Sequence, residues 1–204
     1  MIKRIIFDFD NTLVKWIDEY NYAIRDILKK YNINADYREV TKVIDEYDSV
    51  SKYYNTNDLL EYLNNKLHLD LSLEIIEDWL NELGTKSYAS DELIDLLDYL
   101  SKKYELVILT SWYSVSQIAR MKHANIYKYF IDVIGGDIIK KPNKDAFIKA
   151  MGDKSIDECI MIGDAYDIDI KPALELGMKT IMVSDKLNEN TDTIDDIIKL
   201  KEML

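Results

Sequence analysis

The sequence contains, close to its start, the segment that decides the fold: Arg4-Ile-Ile-Phe-Asp-Phe-Asp-Asn-Thr-Leu13. Residues 4–9 are β-prone and nearly continuously apolar, which is the pattern of a parallel strand buried on both faces. Asp8 falls at the end of that strand, where an unpaired charge is costly. A carboxylate in this position needs a cation beside it, so the segment predicts a buried strand that ends in a charged site.

Beyond residue 84, strand and helix patterns alternate along the chain. Strands are predicted at 105–110, 131–134, 158–163 and 179–183, and helices at 91–103, 114–124, 143–151, 168–176 and 193–203. Such alternation is typical of an α/β protein with a doubly wound parallel sheet.

Only helices are predicted between the first strand and this alternating part. They cover residues 15–31, 37–54, 57–67 and 73–83, with Thr56 or Asn57 as an N-cap and Gly84 as a C-terminal stop. The chain therefore divides into a core of residues 1–15 and 86–204 and a helical insert of residues 16–85.

The charge of the chain excludes several classes of function. The 204 residues carry a net charge of −12, and the insert, with 15 acidic and 7 basic residues, contributes −8 of it. Nucleic-acid backbones and anionic membranes are bound by clustered Lys and Arg, so neither is an expected partner. One cysteine, Cys159, cannot form an intramolecular disulfide. With no apparent targeting segment or membrane span, we expect a cytoplasmic protein.

Polar residues gather where the predicted strands end. In open α/β sheets, ligands bind beyond the carboxyl ends of the strands. That edge is expected to collect Asp8, Asp10, Thr110, Lys141, Asp164 and Asp169. Carboxylate oxygens in such number predict a divalent cation, Mg²⁺, while the lysine and the hydroxyl indicate an anion beside it.

Four segments in order resemble the motifs of the haloacid dehalogenase superfamily. Asp8 to Leu13 resembles the first motif (D-x-D-x-T), and Leu109-Thr110-Ser111 the second. Lys141-Pro142 resembles the third, and Gly163-Asp164 through Asp169 the fourth (G-D-x-x-x-x-D). The resemblance implies a Rossmann-like sheet of about five strands in the order 5-4-1-2-3, with an all-α cap domain inserted after strand 1.

The resemblance also implies a role for each matched residue. Asp8 would be the nucleophile that forms an aspartyl-phosphate, and Asp10 the general acid/base. Mg²⁺ would be held by Asp8, the Asp10 backbone carbonyl and Asp164, with Asp169 either as a further direct ligand or in contact with one of the ligands. Thr110 and Lys141 would hold phosphate oxygens, and the backbone N–H groups of Phe9 and Ser111 would add donors.

Some assignments are less direct. Lys140 is interpreted as a surface charge, and Asp167 as a loop acid that would replace Asp169 if the loop register differs. Trp16 and Trp112 are candidates for stacking on a substrate, and apolar packing between cap and core explains them equally well. Asn11 stands where many family members have Gly.

The prediction is a Mg²⁺-dependent phosphatase acting on a small phosphorylated metabolite, as a monomer or homodimer. Asp10 favours phosphate transfer over dehalogenation, because a halide leaves without a proton whereas an alkoxide needs one. A phosphomutase would share all these core residues. The non-enzymatic alternatives are a phosphate-sensing domain and an interaction protein that uses the acidic insert.

Overall fold

A computed structural model describes residues 1–17 and 19–204 of the chain. In these residues, six parallel strands form one sheet in the order β3-β2-β1-β4-β5-β6. The strands are β1 (Arg4–Phe7), β2 (Glu105–Leu109), β3 (Asp132–Ile134), β4 (Cys159–Gly163), β5 (Lys179–Val183) and β6 (Asp192–Ile194). The predicted α/β class is confirmed, and its strand order is extended by one edge strand.

The helices follow the predicted succession. They are α1 (Glu19–Lys30), α2 (Tyr37–Val50), α3 (Thr56–Leu67), α4 (Leu73–Glu82), α5 (Asp91–Ser101), α6 (Ser114–His123), α7 (Lys144–Met151), α8 (Lys171–Leu176) and α9 (Leu200–Met203). A π-helical turn, Tyr166–Ile170, leads directly into α8. Among the described residues, no helix is both long and apolar enough to cross a bilayer.

The central strand β1 is buried on both faces. Ile5 and Phe7 pack in one hydrophobic cluster and Ile6 packs in another, as alternation of side chains along a strand requires. Arg4, at its start, pairs with Glu105 of β2. The strand thus delivers Asp8 to the carboxyl edge of the sheet with apolar layers above and below.

Helices α1 to α4 form the cap, which has a hydrophobic core of its own. The cap touches the sheet domain closely at Gly84, which lies in the 3-10 turn Leu83–Lys86 that follows α4. A Cβ on Gly84 would lie 3.0 Å from the Cβ of Ala119 on α6. The glycine permits this close approach. It lies at the predicted position, two residues after α4 ends at Glu82, and its φ is not left-handed.

Several predicted boundaries differ from the structure. The N-cap of α3 is Asn55, whose side chain accepts from the N–H groups of Asn57 and Asp58, rather than Thr56 or Asn57 itself. Residues 15–17 are not helical. The helix predicted at 193–203 is wrong over its first half, because residues 192–194 add strand β6 to the edge of the sheet beside β5.

Candidate active site

Asp8 lies almost fully buried at the carboxyl end of β1, between two donors. Lys141 Nζ donates to Asp8 Oδ1 at 2.6 Å, and Thr12 Oγ1 donates to Asp8 Oδ2 at 3.0 Å. The turn that brings Thr12 back onto Asp8 includes Asn11, whose φ of 62° is left-handed. Asn tolerates that conformation better than most residues other than Gly, which explains how it replaces glycine here.

Asp169 reaches the same lysine from the fourth motif. Its Oδ1 accepts from Lys141 Nζ at 2.5 Å, and its Oδ2 accepts from the backbone N–H of Ala165 at 3.1 Å. A Cβ on Gly163 would lie 2.6 Å from the Asp169 side chain, so the glycine makes room for this carboxylate. Asp167, by contrast, is exposed, and its Oδ1 lies 3.7 Å from Lys171 Nζ. Of these two acids, Asp169 is the one that lies beside Lys141 and within the cluster of Asp8 and Asp164.

Three carboxylates converge on the buried end of this site. Among the described residues, Asp8, Asp164 and Asp169 bring carboxylate oxygens within 4.8 Å of one another. Burial raises the pKa of Asp8 to about 7 against the lowering effect of Lys141. Burial, followed by the nearby Asp169, also raises the pKa of Asp164. These three carboxylates carry more negative charge than Lys141 alone can balance when they are ionised. Their oxygen atoms are ligands that suit a divalent cation.

Thr110 and its neighbours lie at the carboxyl end of β2, beside β1 in the sheet. Thr110 is buried, and its Oγ1 accepts from the N–H of Trp112 at 3.3 Å and from Gln117 Nε2 at 2.9 Å. Its hydroxyl proton is therefore available to a ligand oxygen. Ser111 Oγ is buried and finds no partner among the described residues. Phe9 is fully buried and packs in the hydrophobic core of the sheet domain.

Asp10 is held by two side chains that the motifs did not reveal. Arg120 Nη2 lies 2.6 Å from Asp10 Oδ1, and Gln117 Nε2 donates to Asp10 Oδ2 at 2.8 Å. Both residues are fully buried on α6. A signal was present in the sequence, because Gln117 and Arg120 share a helix face with the core residues Met121 and Ala124.

A cavity of about 260 Å³ lies between the cap and the carboxyl edge of the sheet. Asp10 and Asn11 border it from the core, and α1, α2 and α4 border it from the cap. Trp16 and Trp112 both line it. Trp112 also packs edge-on against Trp79 of α4, with ring centroids 5.9 Å apart. Apolar packing between cap and core therefore accounts for at least part of its role.

Lys140 joins the cap to the sheet domain. Its Nζ donates to the backbone carbonyl of Asp48 at 2.8 Å and to that of Ser51 at 3.2 Å. It also lies 4.4 Å from the centroid of the Tyr54 ring. Only 14% of its side chain is exposed, so the interpretation of Lys140 as a surface charge is wrong. The motif itself does not distinguish a solvated lysine from one that contacts the insert.

Comparison with known proteins agrees with this geometry. Residues 5–183 match the model of the haloacid dehalogenase-like hydrolase family. The match covers most of the chain and all four motifs, and the chain belongs to this family.

Relatives and solved structures support the same conclusion. The chain is 27% identical over 195 residues to a glyceraldehyde 3-phosphate phosphatase of Methanocaldococcus jannaschii, covering 90% of this chain and 85% of the relative. The magnesium-bound structure of the HAD-hydrolase YfnB from Bacillus subtilis superposes with a TM-score of 0.76 at 19% identity, over 100% of this chain and 98% of that one.

A dehalogenase shares the fold as well. The structure of 2-haloacid dehalogenase from Pseudomonas syringae superposes with a TM-score of 0.74 at 21% identity, over 99% of this chain and 97% of that one. At this identity the likeness shows the fold, including the cap inserted after the first strand. The prediction of a phosphoric monoester hydrolase is confirmed by the phosphatase relatives, and the substrate and the residue roles are proposed below.

Proposed function

We propose that the protein hydrolyses a small phosphomonoester through an aspartyl-phosphate formed on Asp8. The observation that carries this proposal is the buried contact of Asp8 with Lys141 in a site that also contains Asp164 and Asp169. A buried lysine between carboxylates offers a fixed positive charge for a phosphoryl group that would otherwise be repelled. Lys141 and a bound divalent cation would together offset the local negative charge at the point where the phosphate binds.

The first step forms one bond and breaks another. A carboxylate oxygen of Asp8 attacks phosphorus, and the bond between phosphorus and the leaving-group oxygen breaks. Asp10 delivers its proton to that oxygen, which then departs as an alcohol. Thr110 and Lys141 hold the phosphoryl oxygens, because charge on them must be balanced throughout the transfer.

The second step returns the enzyme to its starting state. Asp10, now a carboxylate, accepts a proton from water as that water attacks the phosphorus of the aspartyl-phosphate. The bond between phosphorus and the Asp8 oxygen breaks, which releases inorganic phosphate and restores the Asp8 carboxylate. Splitting the reaction in this way replaces one difficult displacement with two easier ones.

The acid cluster fits Mg²⁺ as the cofactor. Asp8, Asp164, Asp169 and the backbone carbonyl of Asp10 would hold the ion, since hard oxygen donors are the ligands that it prefers. When bound, Mg²⁺ supplies charge neutralisation for the nucleophile and the phosphoryl oxygens. The crowded carboxylates described above support this assignment.

We propose a small phosphorylated metabolite as the substrate. The cavity of about 260 Å³ is of the size for a short-chain phosphate ester rather than a polymer. A triose phosphate is the first compound to test, because the phosphatase relative is named for one. We further propose that Trp16 and Trp112 contact the organic part of the substrate, and that the protein acts in the cytoplasm as a monomer or homodimer.

The decisive experiment measures phosphate release from an aryl phosphate and from glyceraldehyde 3-phosphate, with and without Mg²⁺. Turnover should require Mg²⁺ and should be lost in Asp8→Asn. Asp167→Asn, which alters an exposed acid of the fourth motif, is the matched control and should retain activity. Turnover that survives Asp8→Asn would contradict the proposal. Halide release from a 2-haloacid would support the dehalogenase alternative instead.

A further inference from the structure

Behind Asp10 lies a group of polar side chains that no solvent reaches. Ser87, Gln117 and Arg120 are each 0% exposed. Burying a guanidinium is costly unless it is ion-paired and its donors are satisfied. Arg120 is nevertheless fully buried, so the groups that it contacts decide whether this cost is offset.

Arg120 and Gln117 form a closed network around the Asp10 carboxylate. Arg120 Nη2 lies 2.6 Å from Asp10 Oδ1, and Arg120 Nη1 donates to Gln117 Oε1 at 2.7 Å. Gln117 Nε2 donates to Asp10 Oδ2 at 2.8 Å. Oδ2 therefore accepts a hydrogen bond from Gln117, Oδ1 lies in an ion-pair contact with Arg120, and Gln117 and Arg120 are hydrogen-bonded to each other. Such an arrangement fixes the rotation of the carboxylate as well as its position.

The network also extends to the second motif. Gln117 Nε2 donates to Thr110 Oγ1 at 2.9 Å, so one amide group contacts both Asp10 and Thr110. Because Thr110 Oγ1 then acts as an acceptor towards the helix, its proton points elsewhere. The same glutamine thus orients a proposed proton donor and a proposed phosphate ligand relative to each other.

Arg120 is anchored by the two segments that connect the cap to the core. Its Nε donates to Ser87 Oγ at 2.8 Å, just after the 3-10 turn that ends the cap. Its guanidinium lies 5.3 Å from the centroid of Trp16, in the segment that leads into the cap. On the core side it lies 4.8 Å from the centroid of Phe9. The arginine is therefore held at a defined place between both connections.

We propose that Arg120 and Gln117 are positioning residues that hold the Asp10 carboxylate in the orientation needed for proton transfer. Proton transfer requires the donor oxygen within hydrogen-bond reach of the leaving group, and small misplacements lower the rate strongly. This inference rests on the proposed role of Asp10. It adds to the four motifs a buried pair on α6 that makes no contact with the substrate.

The test compares Arg120→Met, Arg120→Lys and Gln117→Met on two substrates, an aryl phosphate and an alkyl phosphate. An alkoxide needs a proton to leave far more than an aryloxide does, so loss of Asp10 alignment affects the alkyl ester more. We expect Arg120→Met to lower kcat for the alkyl ester by about tenfold or more, with a smaller loss for the aryl ester and KM nearly unchanged. Arg120→Lys should recover part of the loss.

A double-mutant cycle separates positioning from a merely structural role. If Arg120 acts through Asp10, Arg120→Met should cause little further loss in an Asp10→Asn background. Equal losses in both backgrounds would overturn the proposal. Arg25→Met, on the exposed face of α1, is the control and should leave kcat unchanged.

Two further variants apply if Arg120→Met does not fold, which thermal unfolding will show. Gln117→Met removes the hydrogen bonds of Gln117 to Asp10, Thr110 and Arg120, Ser87→Ala removes the bond from Arg120 Nε, and both leave the arginine in place. An unchanged ratio of alkyl to aryl turnover in both would contradict the proposal. Failure of the proposed function would be recognised separately, because the unmodified protein would then release no phosphate or Asp8→Asn would remain active.

Discussion

Lys141 Nζ lies 2.6 Å from Asp8 Oδ1, and 1% and 10% of the two side chains are exposed. Asp169 lies on the other side of the same ammonium group. Burial alone would lower the pKa of Lys141, but Asp169 and Asp8 together raise it above its ordinary value. The lysine is therefore charged throughout the working range of pH, and it balances an acidic site that the sheet would otherwise bury without compensation.

Replacing this lysine should affect activity and stability together. Lys141→Met removes a fixed positive charge from the phosphoryl site, and we expect kcat/KM to fall by at least about 100-fold. Because the substitution removes one partner of a buried ion pair and leaves Asp8 and Asp169 without it, the metal-free protein should also be destabilised by about 3–5 kcal/mol. Phosphate release and denaturant unfolding measure the two effects.

A matched control for this variant is Lys144→Met, which removes an exposed lysine at the start of α7. Lys144 pairs with Glu175 on the surface, and such pairs contribute little. Added Mg²⁺ should recover more stability in Lys141→Met than in the unmodified protein, because a cation then replaces the missing charge. Normal activity in Lys141→Met would contradict the proposed site.

Mg²⁺ binding should weaken as the pH falls. Burial raises the pKa of Asp8 to about 7 in the metal-free protein, and Asp164 is shifted in the same direction. Cation binding requires the ionised carboxylates, so protons compete with Mg²⁺ below that pH. At a fixed Mg²⁺ concentration, the gain in Tm should therefore be larger at pH 8 than at pH 6.

The control for the Mg²⁺ experiment uses the acids of the fourth motif. Asp164→Asn should abolish the Mg²⁺-dependent gain in Tm, and Asp167→Asn should leave it intact. An equal gain at both pH values, or a gain that persists in Asp164→Asn, would show that the ion binds elsewhere.

The glycine before Asp164 should be essential for a steric reason. A Cβ at Gly163 would lie 2.6 Å from the Asp169 side chain, so Gly163→Ala must displace that carboxylate from Lys141. We expect a loss of activity and of Mg²⁺-induced stabilisation. Gly177→Ala is the contrasting variant. The φ of 87° at Gly177 makes alanine cost roughly 1–2 kcal/mol of stability. No neighbouring atom lies within 4 Å of the added Cβ. This variant should lower Tm and leave turnover per folded molecule unchanged.

The sequence predicted the sheet and the motif residues because both depend on local patterns. Continuous apolar runs mark strands such as β1 and β4, and the acids that follow them fall at one edge of any parallel sheet. The edge strand β6 was missed, because Asp192–Ile194 is short and polar, and only its pairing with β5 makes it a strand.

The contacts between distant segments could not be predicted in the same way. The contact of Gln117 and Arg120 with Asp10 joins positions more than 100 residues apart in the chain, so no local pattern predicts it. Asn55 rather than Thr56 caps α3, a difference of one residue that depends on side-chain geometry. Lys140 and Lys141 are neighbours in sequence, but one points to the cap and the other to Asp8.

The contact of Lys140 with the cap gives a last prediction, about how firmly the cap is held. Tyr54 N–H donates to the Gly136 carbonyl at 3.0 Å, beside the lysine that covers its ring. Lys140→Met keeps the apolar stem but loses the bonds to Asp48 and Ser51, so the amide of Tyr54 should exchange its hydrogen faster. Lys144→Met, again the surface control, should leave that exchange unchanged. Equal exchange in all three proteins would mean that apolar packing, and not this lysine, holds the cap against the sheet.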